Sequence, residues 1–261
     1  MNILATVCGR AGSKGVASKN IRDFLGYPIC CYALSAFKLF LERYGSQYEK
    51  VDLAVNTDSD MLLKQLDCCS HPYIPVMRQQ ELAGDVAAKI DVIRDTLRRV
   101  QSLNGILYDL VLDIDLTSPL RRVEDLCRVM DTLLKTQGAD VAMTVCEARR
   151  NPYFNQLIKG NDGFYHTVMA STFTARQQTP TVYDANASLY AYSPAFLLHS
   201  DEIILNAKLA VCEMKDTAIL DIDSELDYEL MQVVAEYLYS TDESYREVRE
   251  YIPHFYCKGG N

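Results

Sequence analysis

The sequence predicts an α/β fold: a mainly parallel sheet flanked by helices, interrupted by one small excursion. Three observations carry this reading. Short β-rich runs alternate with helical runs over most of the chain, which implies right-handed crossovers between parallel strands. The first run leads straight into a glycine-rich, basic loop. The alternation fails once, from Ala148 to Asp184, where Arg, Asn, Gln, Thr and aromatic residues dominate.

The elements follow in order. "NILATV" reads as a buried first strand, and "GYPICCYALSAFKLFLERYG" as a helix ended by Gly45. "VDLAVNTD" is the next strand, followed by the helix "SDMLLKQLDCC" with Ser59 or Asp58 as its N-cap. The short strand "YIPVM", a helix through "AAKIDVIRDTLRRVQSL", the strand "ILYDLVLDID" and the helix "VEDLCRVMDTLLKTQG" continue the alternation. "DVAMTVCE" is a further strand, after which Asn161-Asp162-Gly163 marks a hairpin turn inside the excursion. "ASLYAYS" returns to the sheet and "TAILDID" reads as a last strand. It runs into the helix "SELDYELMQVVAEYLY", where Ser224 and Asp227 approximate a capping box. The division expected is an α/β domain over 1–147 and 185–240, an insert over 148–184, and a C-terminal helix and tail over 241–261.

Composition excludes several classes. With 49% hydrophobic and 23% charged residues the chain is neither fibrous nor disordered. A net charge of -9 argues against a nucleic-acid binder, which needs many cationic contacts to phosphate. No apolar run approaches the ~18 residues that span a bilayer, so no membrane partner is expected. "MNILATVCGR" lacks a charged leader and a small-residue cleavage site, so a cytoplasmic location is expected. The nine cysteines form no C-x-x-C pair and the histidines at 71, 166, 199 and 254 are scattered, so a zinc site is not expected.

Against this acidic background, "VCGRAGSKGVASKNIR" carries Arg10, Lys14, Lys19 and Arg22 with no acid. A glycine-rich loop after a first strand is where α/β proteins cradle phosphate with backbone N–H groups. Lys14 follows Ser13 and precedes Gly15, so the loop is not a Walker A motif. Gly9, Gly12 and Gly15 are spaced three and three, so it is not a dinucleotide fingerprint either. Arg10, Ser13, Lys14 and Lys19 suit the several phosphate oxygens of one nucleoside triphosphate, although a solvated turn is the plain alternative.

Two D-x-D pairs complement the loop: Asp113/Asp115 in "VLDIDLTSPLR" and Asp221/Asp223 in "LDIDSELD". Residues i and i+2 of a strand share a face, so each pair can converge on one hard cation. Asp223 or Ser224 also reads as a helix cap. Acidic pairs and a basic phosphate loop together favour metal-assisted phosphoryl or nucleotidyl transfer.

Five ordered motifs over roughly residues 3 to 235 resemble the acylneuraminate cytidylyltransferases, or CMP-sialic acid synthetases: "GRAGSKGVASKNIR", "RQQELAGD", "LTSPLR", "RRNPYFN" with "ARQQTPTVYDANASLYAY", and "DIDSELD". The resemblance implies a Rossmann-like nucleotidyltransferase sheet and a homodimer whose dimerisation and sugar-site insert is 148–184. It implies that Arg10, Ser13, Lys14, Lys19, Asn20 and Arg78 contact CTP, and that Asp221 and Asp223 hold Mg²⁺. Arg176, Gln177 and Asn186 would face the acyl sugar or shape its pocket.

Two departures bear on the sugar. Asp115-Leu116 stands where sialate enzymes usually have Gln-Pro, and Lys89 where they tend to have serine. Lys89 and Asp115 are therefore expected at the sugar, and the motifs look most like the bacterial CMP-legionaminic acid synthetases. The expected reaction is CMP transfer from CTP to the anomeric hydroxyl of a nonulosonic acid, with Arg10 and Lys14 on the leaving pyrophosphate and Asp223 or Asp115 as base. CMP-N-acetylneuraminate synthesis is the alternative, and nucleotide binding without catalysis a further one.

Overall fold

A computed structural model describes residues 1–12, 16–84, 87–200, 202–217 and 221–257. Ser13 and Lys14 therefore lie outside the described residues. β1 (Asn2–Gly9) leads through the basic loop to a small antiparallel hairpin, β2 (Asp23–Phe24) and β3 (Tyr27–Pro28), and then to α1 (Cys30–Tyr44). The expected helix start near Gly26 moves to Cys30: Leu25 and Gly26 take positive φ (50° and 98°) in the hairpin turn, and Pro28 keeps Tyr27 extended.

β4 (Lys50–Thr57), α2 (Asp60–Asp67), β5 (Ile74–Met77), α3 (Lys89–Asn104), β6 (Leu110–Ile114), α4 (Val123–Lys135) and β7 (Val141–Glu147) follow as the alternation predicts. The excursion contains the hairpin β8 (Leu157–Lys159) and β9 (Tyr165–Thr167), paired antiparallel around the expected turn. β10 (Tyr183–Tyr192), α5 (Pro194–His199), β11 (Leu209–Glu213), α6 (Glu225–Thr241) and α7 (Glu243–Tyr251) complete the chain.

The main sheet has the order β11-β7-β10-β6-β1-β4-β5, with β10 antiparallel to both its neighbours and the other pairings parallel. One face carries the larger core, formed with α1, α4, α6 and α7, and the other packs against α3 and α5. The last strand differs from the sequence reading. Leu209–Glu213 pairs with β7, its side chains alternating exposed and buried as an edge strand with one covered face requires. Asp221–Asp223 has no regular structure, and 218–220 lie outside the described residues.

The C-terminal segment is part of the core. Tyr245, Val248, Ile252 and Phe255 are all at most 2% exposed, and the Ser35 hydroxyl donates to Val248 O across α1 and α7. Burial of each such side chain is worth roughly 1.5–3 kcal/mol. No helix among the described residues is long and apolar enough to cross a membrane.

His71 stands edge-on to Phe37, with ring centroids 5.6 Å apart, and burial, reinforced by Lys38, pushes its imidazole down to about 4. A lowered pKa means that the unfolded chain takes up the proton first. Stability is complete above the ordinary value of 6.5 and is lost as pH falls towards 4. Unfolding free energies from urea titrations at about pH 7.5 and about pH 5 are expected to differ by about 1 kcal/mol, the ring being only partly buried, a slope that His71→Gln should flatten.

Candidate active site

A cleft of about 430 Å³ opens at the carboxyl ends of β1, β5 and β6, where open α/β sheets bind ligands. Gly9 ends β1 there because nothing larger fits: a Cβ would lie 2.6 Å from Leu62 and 2.8 Å from Leu116. The loop beyond is held at several points. Asp58 accepts a hydrogen bond from Ala11 N at 2.7 Å, Asn20 Nδ2 donates to Arg10 O at 3.1 Å, and Val16 is fully buried. Ser59 is the α2 cap, accepting from Leu62 N, which leaves Asp58 to anchor the loop.

One wall is cationic. Arg10 and Arg78 both line the cleft. Burial, with Arg10 adding to it, lowers the Arg78 guanidinium below its usual range, although it stays protonated. Arg78 is gripped by Asn56, its Nε donating to Asn56 Oδ1 at 2.9 Å and its Nη2 to Asn56 O at 3.0 Å. Two guanidinium cations lining one cleft attract an anion, and the fork of each suits phosphate oxygens.

The floor is anionic, and here the first D-x-D pair has its cation. Asp113 and Asp115 do converge as strand geometry requires, but on Lys89, whose Nζ is 2.8 Å from each carboxylate. Asp113 is fully buried and also accepts from the Thr6 hydroxyl at 2.8 Å. Burial alone would push Lys89 down, but the two carboxylates outweigh it and hold the ammonium well above its usual range. Burial likewise raises Asp115, but Lys89 and the Thr117 hydroxyl and N–H, both at 2.7 Å, bring it below the ordinary carboxylate range. Asp115 is thus a weak proton acceptor, which counts against its expected role as base.

Arg121 supports this floor from beneath. It is fully buried, and burial lowers its guanidinium to about 10. Nη2 donates to Asp115 O at 2.5 Å and Nε to Ser188 Oγ at 3.3 Å. Asn186 enters only at the end of this chain. It is buried at the β10 bulge, where Oδ1 accepts from Thr144 Oγ1 at 2.6 Å and from Ser188 N at 3.2 Å. It is not among the residues lining the cleft and reaches the floor through Ser188 and Arg121.

Lys19 and Arg22 have acidic partners across the chain. Lys19 Nζ donates to Ile222 O at 2.6 Å and lies 3.7 Å from Asp223 Oδ1, while Arg22 pairs with Glu225 at 2.6 Å and covers the Tyr228 ring. Lys19 and Arg22 therefore strap the loop to the Asp221–Glu225 segment. The buried Ile222 leaves Asp221 and Asp223 exposed on either side of it. Ser224 and Asp227 form the capping box of α6, so Asp223 is not the cap. Desolvation, then the charges of Asp115 and Asp223, raise the Asp221 carboxyl.

Arg176 and Gln177 lie outside this chain's cleft, exposed on a single helical turn of the excursion. The sequence reading missed Asn56, Thr96, Arg121 and Thr117. An Asn inside the β-rich "VDLAVNTD" was the available signal for the first. Cys8 lines the cleft, but burial, followed by Asp113, pushes its thiol up and keeps it neutral, which argues against a thiolate nucleophile.

No family model matches the chain. The chain is 35% identical over 231 residues to post-translational flagellin modification protein B of Campylobacter coli, covering 88% of this chain and 93% of that protein. It is 31% identical over 241 residues to CMP-N,N'-diacetyllegionaminic acid synthase of Campylobacter jejuni, again 88% and 93% of the two chains. Among solved structures, CMP:2-keto-3-deoxy-manno-octonic acid synthetase complexed with CTP superposes with a TM-score of 0.63 at 12% identity, over 91% of this chain and 99% of that one. At that identity the likeness establishes the fold. The identity to the synthase above 30% runs the length of a sheet whose cleft joins a cationic wall to an acidic floor, and the chain belongs to the acylneuraminate cytidylyltransferase family.

Proposed function

We propose that this cytidylyltransferase transfers CMP from CTP to the anomeric hydroxyl of a legionaminic acid, releasing pyrophosphate. The observation that carries the reading is the division of one cleft into the Arg10/Arg78 wall and the Asp115/Asp223 side, with Asp221 two residues before Asp223 at its edge. In this reading the sugar oxygen attacks the α-phosphorus while Arg10 and Arg78 neutralise the departing β and γ oxygens. Asp115, fixed by Lys89 and Thr117, shapes the floor, and the hydroxyl proton passes to Asp223. Lys19 tethers the acidic segment to the loop.

Mg²⁺ fits Asp221 and Asp223. Among the described residues no cluster of three or more metal-ligating side chains occurs, so a pair of carboxylates would hold the ion jointly with substrate phosphates, the usual way Mg²⁺ is bound. Desolvation is the main cause of the raised Asp221 carboxyl, and Asp115 and Asp223 add negative charge that a divalent cation would offset. When bound, Mg²⁺ supplies charge neutralisation and orientation of the triphosphate.

The excursion exposes Leu157, Ile158, Phe164, Tyr165 and Met169, apolar side chains that a second copy would cover. It supports a homodimer formed through 148–184, with Arg176 and Gln177 delivered near the neighbouring cleft. A cytoplasmic location, where CTP is made, goes with this reading.

A pyrophosphate-release panel with CTP, Mg²⁺ and each nonulosonate tests the proposal. Legionaminate is expected to exceed N-acetylneuraminate, pseudaminate and Kdo by about tenfold or more in kcat/KM. Equal or faster turnover of N-acetylneuraminate would overturn the choice of sugar. Thermal stabilisation by CTP without pyrophosphate from any of the four would reduce the protein to a nucleotide binder.

A further inference from the structure

We propose that Asn56, oriented by Thr96, is a positioning residue for CTP: it holds Arg78 through neutral acceptors, so that the full charge of the guanidinium stays available to phosphate. This rests on the reading of Arg78 as a phosphate-facing cation.

The geometry fixes the Asn56 amide. Asn56 and Thr96 are both fully buried, between β4 and α3. The Thr96 hydroxyl donates its one proton to Val92 O at 2.7 Å, so towards Asn56 it can only accept, and Asn56 Nδ2 donates to it at 2.9 Å. Oδ1 must then face the other way, where Arg78 Nε meets it at 2.9 Å while Nη2 meets the Asn56 carbonyl at 3.0 Å. Two carbonyl oxygens thus hold one edge of the fork. Nη1 has no hydrogen-bond partner among the described residues, and Arg78 lines the cleft beside Arg10.

The acceptor's neutrality is the functional point. A guanidinium desolvated next to a second one needs anchoring against repulsion. A carboxylate would anchor it more tightly but would cancel its charge towards the ligand. An amide anchors without cancelling, provided that it cannot flip and present Nδ2 to Nε, and the committed Thr96 proton is what prevents the flip.

Asn56→Asp, Thr96→Val, Thr96→Ser and Arg78→Ala separate the alternatives, with KM for CTP, KM for the sugar, kcat and inhibition by pyrophosphate measured for each. Asn56→Asp is expected to raise KM for CTP and weaken pyrophosphate inhibition by about tenfold, the worth of one charge-assisted contact, with the sugar KM unchanged. Its melting temperature should hold or rise, the opposite direction from its affinity, which a purely structural role would not produce. Thr96→Val should weaken CTP about fivefold through the released amide, and Thr96→Ser should restore it. If Asn56→Asp does not fold, the Thr96 pair decides. Should Arg78→Ala raise KM for CTP while folded Asn56→Asp and Thr96→Val leave it at the parent value, the Asn56 inference is wrong and the Arg78 reading stands. Should Arg78→Ala itself leave KM for CTP unchanged, both fall.

Discussion

Asp223→Asn is expected to lower kcat by about a thousandfold or more at saturating CTP, Mg²⁺ and sugar, with the melting temperature and oligomeric state of the parent chain. The two halves of this expectation have separate grounds. The Asp223 side chain is 82% exposed and its ion pair is with Lys19 at 3.7 Å, a long contact open to solvent on the carboxylate side and worth less than about 1 kcal/mol. The α6 cap is supplied by Ser224 and Asp227, so the helix start survives the substitution. The proposed chemistry, in contrast, uses the Asp223 charge both to hold the ion jointly with Asp221 and to receive the proton, and an amide does neither. Stopped pyrophosphate assays across a Mg²⁺ titration, beside a melting curve, check both halves. Turnover within tenfold of the parent at every Mg²⁺ concentration would remove Asp223 from the reaction.

The second large effect concerns Lys89. Lys89→Met is expected to cost about 3 kcal/mol of stability, the lower end of the range for breaking a buried ion pair, because the Lys89 side chain is 33% exposed. The cause is what remains: Asp113, fully buried, and Asp115 close by, with their common counter-ion gone. The melting temperature should fall by roughly 10 °C, and Lys89→Met/Asp113→Asn should recover a good part of it by restoring the parent's single net negative charge. The deficit should shrink in mild acid, where the stranded carboxylates take up protons. In the parent chain the lowered Asp115 contributes stability above its ordinary value of 3.8 and loses it as pH falls further. The raised Lys89 contributes fully below its ordinary 10.5 and loses its part only at more alkaline pH. A single variant that melts with the parent would mean that the three charges are solvated rather than mutually dependent.

Much of the frame was legible because it is written locally. Near-continuous β-rich runs followed by amphipathic helices specified β1, β4, β6 and β7 and their crossovers, and Asn161-Asp162-Gly163 marked the turn of the β8–β9 hairpin. β11 was not legible. Five residues, Leu209–Glu213, alternate as an edge strand, but the apolar "TAILDID" made the stronger local signal. That Leu209–Glu213 pairs with β7 is decided by long-range strand pairing, to which local sequence is blind.

The site divides in the same way. The sequence by itself determined which residue types gather around the first loop and that the second acidic pair stands just ahead of a capped helix, because motif order and spacing along the chain are local facts. Only the tertiary structure decided what each charge is for. Asp113 and Asp115, a credible metal pair on spacing, are instead the counter-ions of Lys89, brought from the start of α3. Lys19 and Arg22 are tied to Ile222, Asp223 and Glu225 about two hundred residues away, while Arg10 and Arg78 line the cleft. Pairing energies depend on distance and burial, and both are set by the fold, so a charge's partner cannot be read from its place in the chain.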